Sequence, residues 1–437
     1  LLVQGLLLAL FRQFDQERIQ YCLLRDHHRL HLLSAEAELD LLVQATHCAR
    51  LQRLLARLGF VRLPGWGHHP HHFFVAYDQG SDSWLKLDVT TEVAYGRPVA
   101  ALRTDLAAYC LDTRQRMGAW YGPTPECELV MLLLHSLLDK RQFALSHGER
   151  LQALRQQVQD ESYLTALLAR YWPPTIGWPQ VAALIEAGDW ATLGSLRQAV
   201  ADHLAQGDRL GVRYRQVRGR LLRKLNQLIT ARRPKALTVA LLAPDGGGKS
   251  TLAKGLQDSF YFPVRSIYMG LYGKHRKLAR LPGLRFGQRL ASQWMGALAA
   301  RYYQLQGQLV IFDRYGYDAL LPSPQGGHWL QRCRRWLLAH ACPPPDLVVL
   351  LDAPGDLLYA RKGEHSIEQL EQQRQRYLQL RSKLPQLVVV DATQEADQVR
   401  RTVTGLIWRA YGRRQAGLRI APAAETSTTY QEGRVRS

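Results

Sequence analysis

The sequence predicts an α/β chain: a C-terminal part built on a five-stranded parallel sheet flanked by helices, preceded by an α+β domain and a helical linker. Three observations predict this. Five continuous apolar runs, Leu237–Leu242, Val264–Tyr268, Leu309–Phe312, Leu347–Leu351 and Leu387–Val390, alternate with helical segments. Strands buried on both faces of a parallel sheet have this pattern. A glycine-rich turn, Gly246-Gly247-Gly248, joins the first run to a helical pattern. Nearer the N-terminus, Phe73–Tyr77 and Trp84–Val89 alternate with period two across the turn-forming segment Asp78–Asp82, as paired strands do.

The elements follow in order. The run Leu1–Leu10 falls short of the ~18 apolar residues that span a bilayer. It continues through Phe11, Phe14 and Ile19 as an amphipathic pattern, so a buried first helix is expected. Ile19–Leu24 and Leu39–Val43 read as short strands. Ala45–Leu58 reads as a helix with Gly59 as its C-cap, and Pro125–Leu138 as another helix. Together these define an α+β domain over about 1–145. The histidines His68, His69, His71 and His72 lack fixed ligand spacing and read as an exposed loop.

Residues 146–235 read as a polar helical linker region. It ends in a stretch carrying Arg209, Arg213, Arg215, Arg218, Arg220, Arg223, Lys224, Arg232, Arg233 and Lys235 with no acid between them. Leu210, Val217, Leu221, Leu225 and Leu228 give that helix an apolar side. The simpler expectation is a solvated helix whose apolar side packs on its neighbours. The other is a helix lying on an anionic membrane. The sheet domain occupies about 236–412. The tail, 413–437, loses periodicity and is expected to be disordered.

Composition bounds the partners. The chain has 437 residues, 46% of them hydrophobic, and a formal charge of +20. Such an excess favours acidic partners, but the sequence holds no recognisable nucleic-acid reading module, so no specific nucleic acid is expected. The six cysteines form no CxxC pair, which fits a reducing cytoplasm. A cytoplasmic location is expected. Peripheral contact with an anionic membrane, and a homodimer, are left open.

The chemistry centres on Ala243-Pro244-Asp245-Gly246-Gly247-Gly248-Lys249-Ser250-Thr251, which lies between a strand and a helix. Successive glycines let main-chain N–H groups turn toward an anion, and the following helix adds its positive end. Residues 245–251 therefore form a candidate nucleoside-triphosphate loop. Lys249 can reach the outer phosphates and Ser250 can hold Mg²⁺. The usual pattern begins with Gly, where this chain has Ala243. The strand Leu309–Phe312 ends in Asp313-Arg314-Tyr315, which places Asp313 near the metal and Arg314 where charge develops. Asp352 ends another strand and is expected to cap the next helix. Arg361-Lys362-Gly363-Glu364-His365 offers cations on a loop able to close over a phosphate.

These motifs together resemble the thymidylate kinase family of P-loop nucleoside monophosphate kinases over about residues 236–412. The resemblance rests on Asp245-Gly246-x-Gly248-Lys249-Ser250-Thr251, on Asp313-Arg314-Tyr315 and on Ala300-Arg301-Tyr302. It implies ATP and Mg²⁺, with Lys249, Asp313, Arg314 and Arg361 catalytic and Ser250 and Asp313 on the metal. It also implies Asp245, Arg301 and Tyr315 at the acceptor. One subgroup keeps an Arg where this chain has Gly247, so the lid around Arg361 would supply that cation. The family's acceptor-shaping Arg-Glu-Pro-Gly-Gly stretch is replaced here by Ile267–Lys274, which leaves the acceptor open: a nucleoside monophosphate or another small phosphate acceptor.

Glu38 and Asp40 share one face of a strand, and Asp88 lies on another. Three such carboxylates can hold Mg²⁺ for nucleotidyl transfer. Residues about 15–145 resemble the minimal nucleotidyltransferase fold, although the family's Gly-Ser turn is replaced by Arg25-Asp26-His27-His28. Three readings stand: a kinase, a bifunctional kinase and nucleotidyltransferase of bacterial surface-polysaccharide synthesis, and a nucleotide-binding regulatory protein without turnover.

Overall fold

The computed structural model describes residues 2–25, 36–63, 70–232, 237–270, 282–321 and 328–416. The chain splits into two units, Leu1–Ile229 and Thr230–Ser437.

The first unit opens with α1 (Leu2–Gln16), β1 (Tyr21–Leu23), β2 (Glu36–Val43), α2 (Cys48–Arg57), β3 (Val61–Leu63), β4 (His72–Asp78) and β5 (Ser83–Thr90). The strands form one sheet in the order β1-β2-β5-β4-β3. β2 and β5 run parallel while the other neighbours are antiparallel. Period-two alternation sends side chains to opposite faces. Tyr21, Leu23, Leu39, Leu41 and Val43 pack under α1 and α2 with Leu10, Phe11, Phe14, Leu51 and Leu54. Cys22 and Leu42 point the other way, into a second core. The expected first helix, strands and hairpin are present, and Gly59 follows α2 at φ 83°.

That second core is helical. After the small hairpin of β6 (Val93–Tyr95) and β7 (Leu102–Thr104) come α3 (Leu106–Asp112), β8 (Gln115–Met117), β9 (Trp120–Gly122) and α4 (Pro125–Leu134). Thr124 caps α4 by accepting from the Cys127 amide, with Pro125 at the first helical position. The helix continues as a π-turn over His135–Lys140. Then follow α5 (Leu145–Gln157), α6 (Glu161–Tyr171), α7 (Trp178–Ala187), α8 (Trp190–Ser195), α9 (Arg197–Ala205) and α10 (Arg209–Arg232). Leu151, Leu154, Leu164, Leu168, Trp178, Ile185, Leu193 and Val200 join Leu129, Val130 and Leu133 in one buried cluster. The stretch read as a linker region is therefore the second layer of this unit as far as α10.

The basic helix also departs from its simpler expectation. Its body-facing positions are Val212 and Gly219, while Leu210, Val217, Leu221 and Leu225 are exposed. A Cβ at 219 would stand 2.7 Å from Val99 Cγ1, so the close approach falls on the glycine side, opposite the leucines. Residues 233–235 lie outside the described residues.

The second unit contains β10 (Thr238–Leu242), α11 (Lys249–Ser259), β11 (Val264–Tyr268), α12 (Pro282–Leu305), β12 (Leu309–Asp313), α13 (Trp329–His340), β13 (Leu347–Asp352), α14 (Gly355–Lys362), α15 (Ile367–Leu378), β14 (Leu387–Asp391) and α16 (Ala396–Gln415). All five strands are parallel, in the order β11-β12-β10-β13-β14. This is an open α/β fold on an all-parallel five-stranded sheet. β10, β12 and β13 are buried almost throughout. β11 is an edge strand with Arg265, Ser266 and Tyr268 exposed, where the apolar run had suggested two covered faces. Residues 413–415 belong to α16, not to the tail; 417–437, with the expected disorder of Ala424–Arg436, lie outside the described residues. No helix among the described residues is long and apolar enough to cross a membrane.

Candidate functional site

In the first unit, the parallel register of β2 and β5 sets Asp40 beside Asp88 and Glu38 beside Lys86. Carboxylate oxygens of Glu38, Asp40 and Asp88 all lie within 4.8 Å of one another. Each also meets a cation. Lys86 Nζ is 2.6 Å from Glu38, Arg25 is 3.3 Å from Asp40, and His71 Nδ1 is 2.8 Å from Asp88. Burial raises the pKa of Asp40, with Arg25 opposing. Burial works against a proton on His71, but the bond to Asp88 and the charges of Asp88 and Asp40 together outweigh it and the pKa rises. His71 is thus a partner of the acidic cluster and not merely part of a loop, while His72 begins β4. His68, His69 and the turn residues Asp26-His27-His28 lie outside the described residues. Asp40 and Asp88 open onto a cavity of about 1120 Å³ whose far wall carries Glu128, His135, Asp139 and Arg150.

In the second unit, the chain leaves the centre of the sheet at Leu242 and turns through Gly246 (φ 81°) and Gly248 (φ 82°) into α11. The turn depends on those glycines. A Cβ at Gly246 would stand 2.5 Å from the Leu358 carbonyl oxygen, and one at Gly247 would stand 2.5 Å from Ala243 Cβ. The alanine that replaces the usual first glycine is therefore matched by a glycine at 247, and an Arg there would collide with it. The Gly247 amide closes the turn on Pro244 O at 3.2 Å. Lys249 is buried, and its Nζ donates to Ala243 O (2.8 Å) and Pro244 O (3.0 Å). Burial, reinforced by the nearby Arg314 guanidinium, brings its pKa down to about 8.

The loop lines a cavity of about 520 Å³ together with Ser250, Thr251, Asp313, Arg314, Arg361 and Lys362. The topology explains the meeting: β10 and β12 are neighbours, and their carboxyl ends bring residues 245–251 beside Asp313-Arg314. Arg361 and Lys362 arrive at the end of α14, where Gly363 stops the helix at φ 66°. Arg361 donates to Ala392 O at 2.9 Å. Ser250 and Asp313 offer oxygen ligands of the kind Mg²⁺ takes.

Arg314 is the centre of an ion-pair chain. Its backbone is left-handed, at φ 64°, a conformation uncommon for a residue with a Cβ. One Nη lies 2.5 Å from Asp245 Oδ1 and the other 3.7 Å from Asp318 Oδ2. Tyr377 OH donates to Asp318 Oδ1 at 2.9 Å, and His365 Nε2 is 3.6 Å from Asp245 Oδ2. Asp318 is buried, and burial raises its pKa despite the Tyr377 hydrogen bond and Arg314. Its Oδ2 has no hydrogen-bond partner. Asp318 was not among the residues expected from sequence, although its i, i+4 spacing from Arg314 is a readable signal.

No protein-family model matches the chain. A probable thymidylate kinase from Thermococcus gammatolerans is 33% identical over 111 residues, which cover 23% of this chain and 51% of that protein. The chain thus spans about half the length of this curated relative. A solved thymidylate kinase from Candida albicans aligns over 38% of this chain and 89% of its own, at 20% identity and a TM-score of 0.32. The chain therefore contains a region similar to a probable thymidylate kinase.

In the second unit, two expected acceptor contacts fall elsewhere. Tyr315 is buried, its hydroxyl bonded to Pro343 O and its ring against Phe312 and Tyr317, so it packs the core. Arg301 is exposed on α12 and is not among the residues lining the phosphate-loop cavity. The segment Leu271–Lys274 lies outside the described residues. Asp352 does not cap α14, whose N-cap is Pro354. It takes a fork from Arg374, Nε at 2.6 Å and Nη2 at 3.0 Å.

Proposed function

We propose that the C-terminal unit transfers the terminal phosphate of ATP to a small phosphate-bearing acceptor, a nucleoside monophosphate or a related molecule. The observation that carries this reading is the joint lining of one cavity by the glycine loop, Lys249, Ser250, Asp313, Arg314 and Arg361. In this reading the amides of the loop and the start of α11 bind the phosphates. Lys249 fixes the outer phosphate, and Arg314 balances charge between donor and acceptor. Arg361 and Lys362 exclude water from the far side. Ser250 and Asp313 hold Mg²⁺, which when bound draws charge from the phosphate oxygens. Asp245, bound to Arg314, sits where an acceptor hydroxyl could share it.

The test is phosphoryl transfer from ATP to a panel of nucleoside monophosphates and phosphorylated sugars. Lys249→Ala and Asp313→Ala should each lower the rate at least ~100-fold, the scale of losing one electrostatic contact in a closed site. Wild-type rates in both variants would remove the proposal. ATP binding without transfer to any acceptor would favour a nucleotide-responsive regulator.

A second reading concerns the first unit, and the convergence of Glu38, Asp40 and Asp88 favours it. Those carboxylates could hold divalent metal for nucleotidyl transfer, which would make the chain bifunctional. Lys86, Arg25 and His71 each hold one oxygen of these carboxylates, so a metal would share the cluster with them. Pyrophosphate release that persists in Lys249→Ala and disappears in Asp40→Ala would establish this second activity.

A further inference from the structure

We infer that α10 is a docking face for an anionic lipid surface. Five large apolar side chains, Leu210, Tyr214, Val217, Leu221 and Leu225, are each between 48% and 82% exposed. Their spacing of four, three, four and four residues keeps them within about 80° of arc at ~100° per residue. They point away from the first unit, since Val212 and Gly219, which face its body, lie on the opposite side of the helix. Exposed Arg209, Arg213, Arg220 and Lys224 border the stripe on one side and Arg218 on the other. Arg215 is turned inward, bonded to Ala101 O and Asp208. From residue 209 to residue 235 the sequence has no acid.

The charge pattern selects the occupant. A second copy of the helix laid along this stripe would bring cations against cations with no carboxylate to relieve them. A nucleic-acid backbone would match the cations but leave the apolar stripe without a counterpart. An anionic bilayer satisfies both: the stripe enters the headgroup boundary while the flanking cations meet lipid phosphates and carboxylates. Tyr214 places an amphipathic ring at that depth.

The experiment is co-sedimentation of the full chain with vesicles of phosphatidylcholine alone and of phosphatidylcholine mixed with phosphatidylserine, at low and high salt. Binding should require the anionic lipid and weaken with salt. Val217→Asp with Leu221→Asp should weaken it at least ~10-fold by placing charge at the apolar boundary. Arg213→Gln, Arg220→Gln and Lys224→Gln should each cost about fivefold. All five positions are exposed, and an unchanged far-UV circular dichroism spectrum checks that the variants stay folded. The salt and lipid dependence of the unaltered chain is a second readout that needs no variant. Equal binding to both vesicle types, or to neither, would overturn the inference. So would a concentration-dependent dimer that Leu221→Asp abolishes in a chain that ignores vesicles.

Discussion

At the scale of single residues, Asp318 shows a stability cost kept beside a reactive centre. Its pKa is raised by burial, so ionisation works against the fold: the stability it withholds is regained only as pH falls toward protonation. Asp318→Asn keeps an acceptor for Tyr377 and removes the buried charge, so the second unit should melt at a higher temperature at neutral pH. The amide turns a donor toward Arg314, and the guanidinium loses one of its two guides. Transfer should fall about 10- to 100-fold, the cost of a small misplacement near the reacting atoms. A lower melting temperature or an undiminished kcat would refute this positioning role. The glycine turn itself was legible from sequence, because it is built from consecutive residues whose glycines have a steric reason. The dependence of Gly247 on Ala243 was not, since it appears only when the two Cβ positions are brought together.

At the scale of elements, the π-turn after α4 carries a buried titrating group. His135 Nδ1 lies 2.8 Å from Asp139 Oδ2 and 3.2 Å from Arg25 Nη2, while Nε2 is buried without a partner. Burial lowers its pKa, and a second ring proton would have no acceptor. The folded-state pKa lies below the unfolded value of ~6.5, so its contribution is complete above that pH and lost as pH falls through it. The urea midpoint of the first unit should therefore drop between about pH 7 and pH 5.5, and His135→Gln should flatten the drop. His71, whose proton Asp88 favours, acts in the opposite sense, so the comparison between variant and parent is decisive. An identical pH profile in both would refute the assignment.

Element recognition from sequence followed the strength of the periodic signal. The parallel strands and the β4–β5 hairpin carried it. The three-residue strands at Val93–Tyr95 and Gln115–Met117 are too short to show any period. For α10 the amphipathic pattern was readable, but which side meets the protein was not, because a glycine and a valine make that contact.

At the scale of the whole molecule, a single chain divides into two units. The helical stretch 146–229 lends its apolar residues to the helical core of the first unit, which sequence alone could not assign because polar helices suit linkers and domain layers equally. The full chain should show two unfolding transitions in calorimetry. ATP with Mg²⁺ should raise that of the second unit, by about 2.7 kcal/mol of stability at a hundredfold excess over Kd. Mn²⁺ alone should raise the other through Glu38, Asp40 and Asp88, and Asp40→Ala should cancel that shift. A single transition moved by both ligands would contradict the independence of the two units.

The posture of Lys249 has a consequence for ligand capture. Its side chain is buried and its ammonium leans on two carbonyls of its own loop. On the proposed function, an incoming phosphate would exchange places with protein oxygens, so the expense of drying the cation would fall on folding and not on binding. Chain stability should then be sensitive to agents that alter ion hydration.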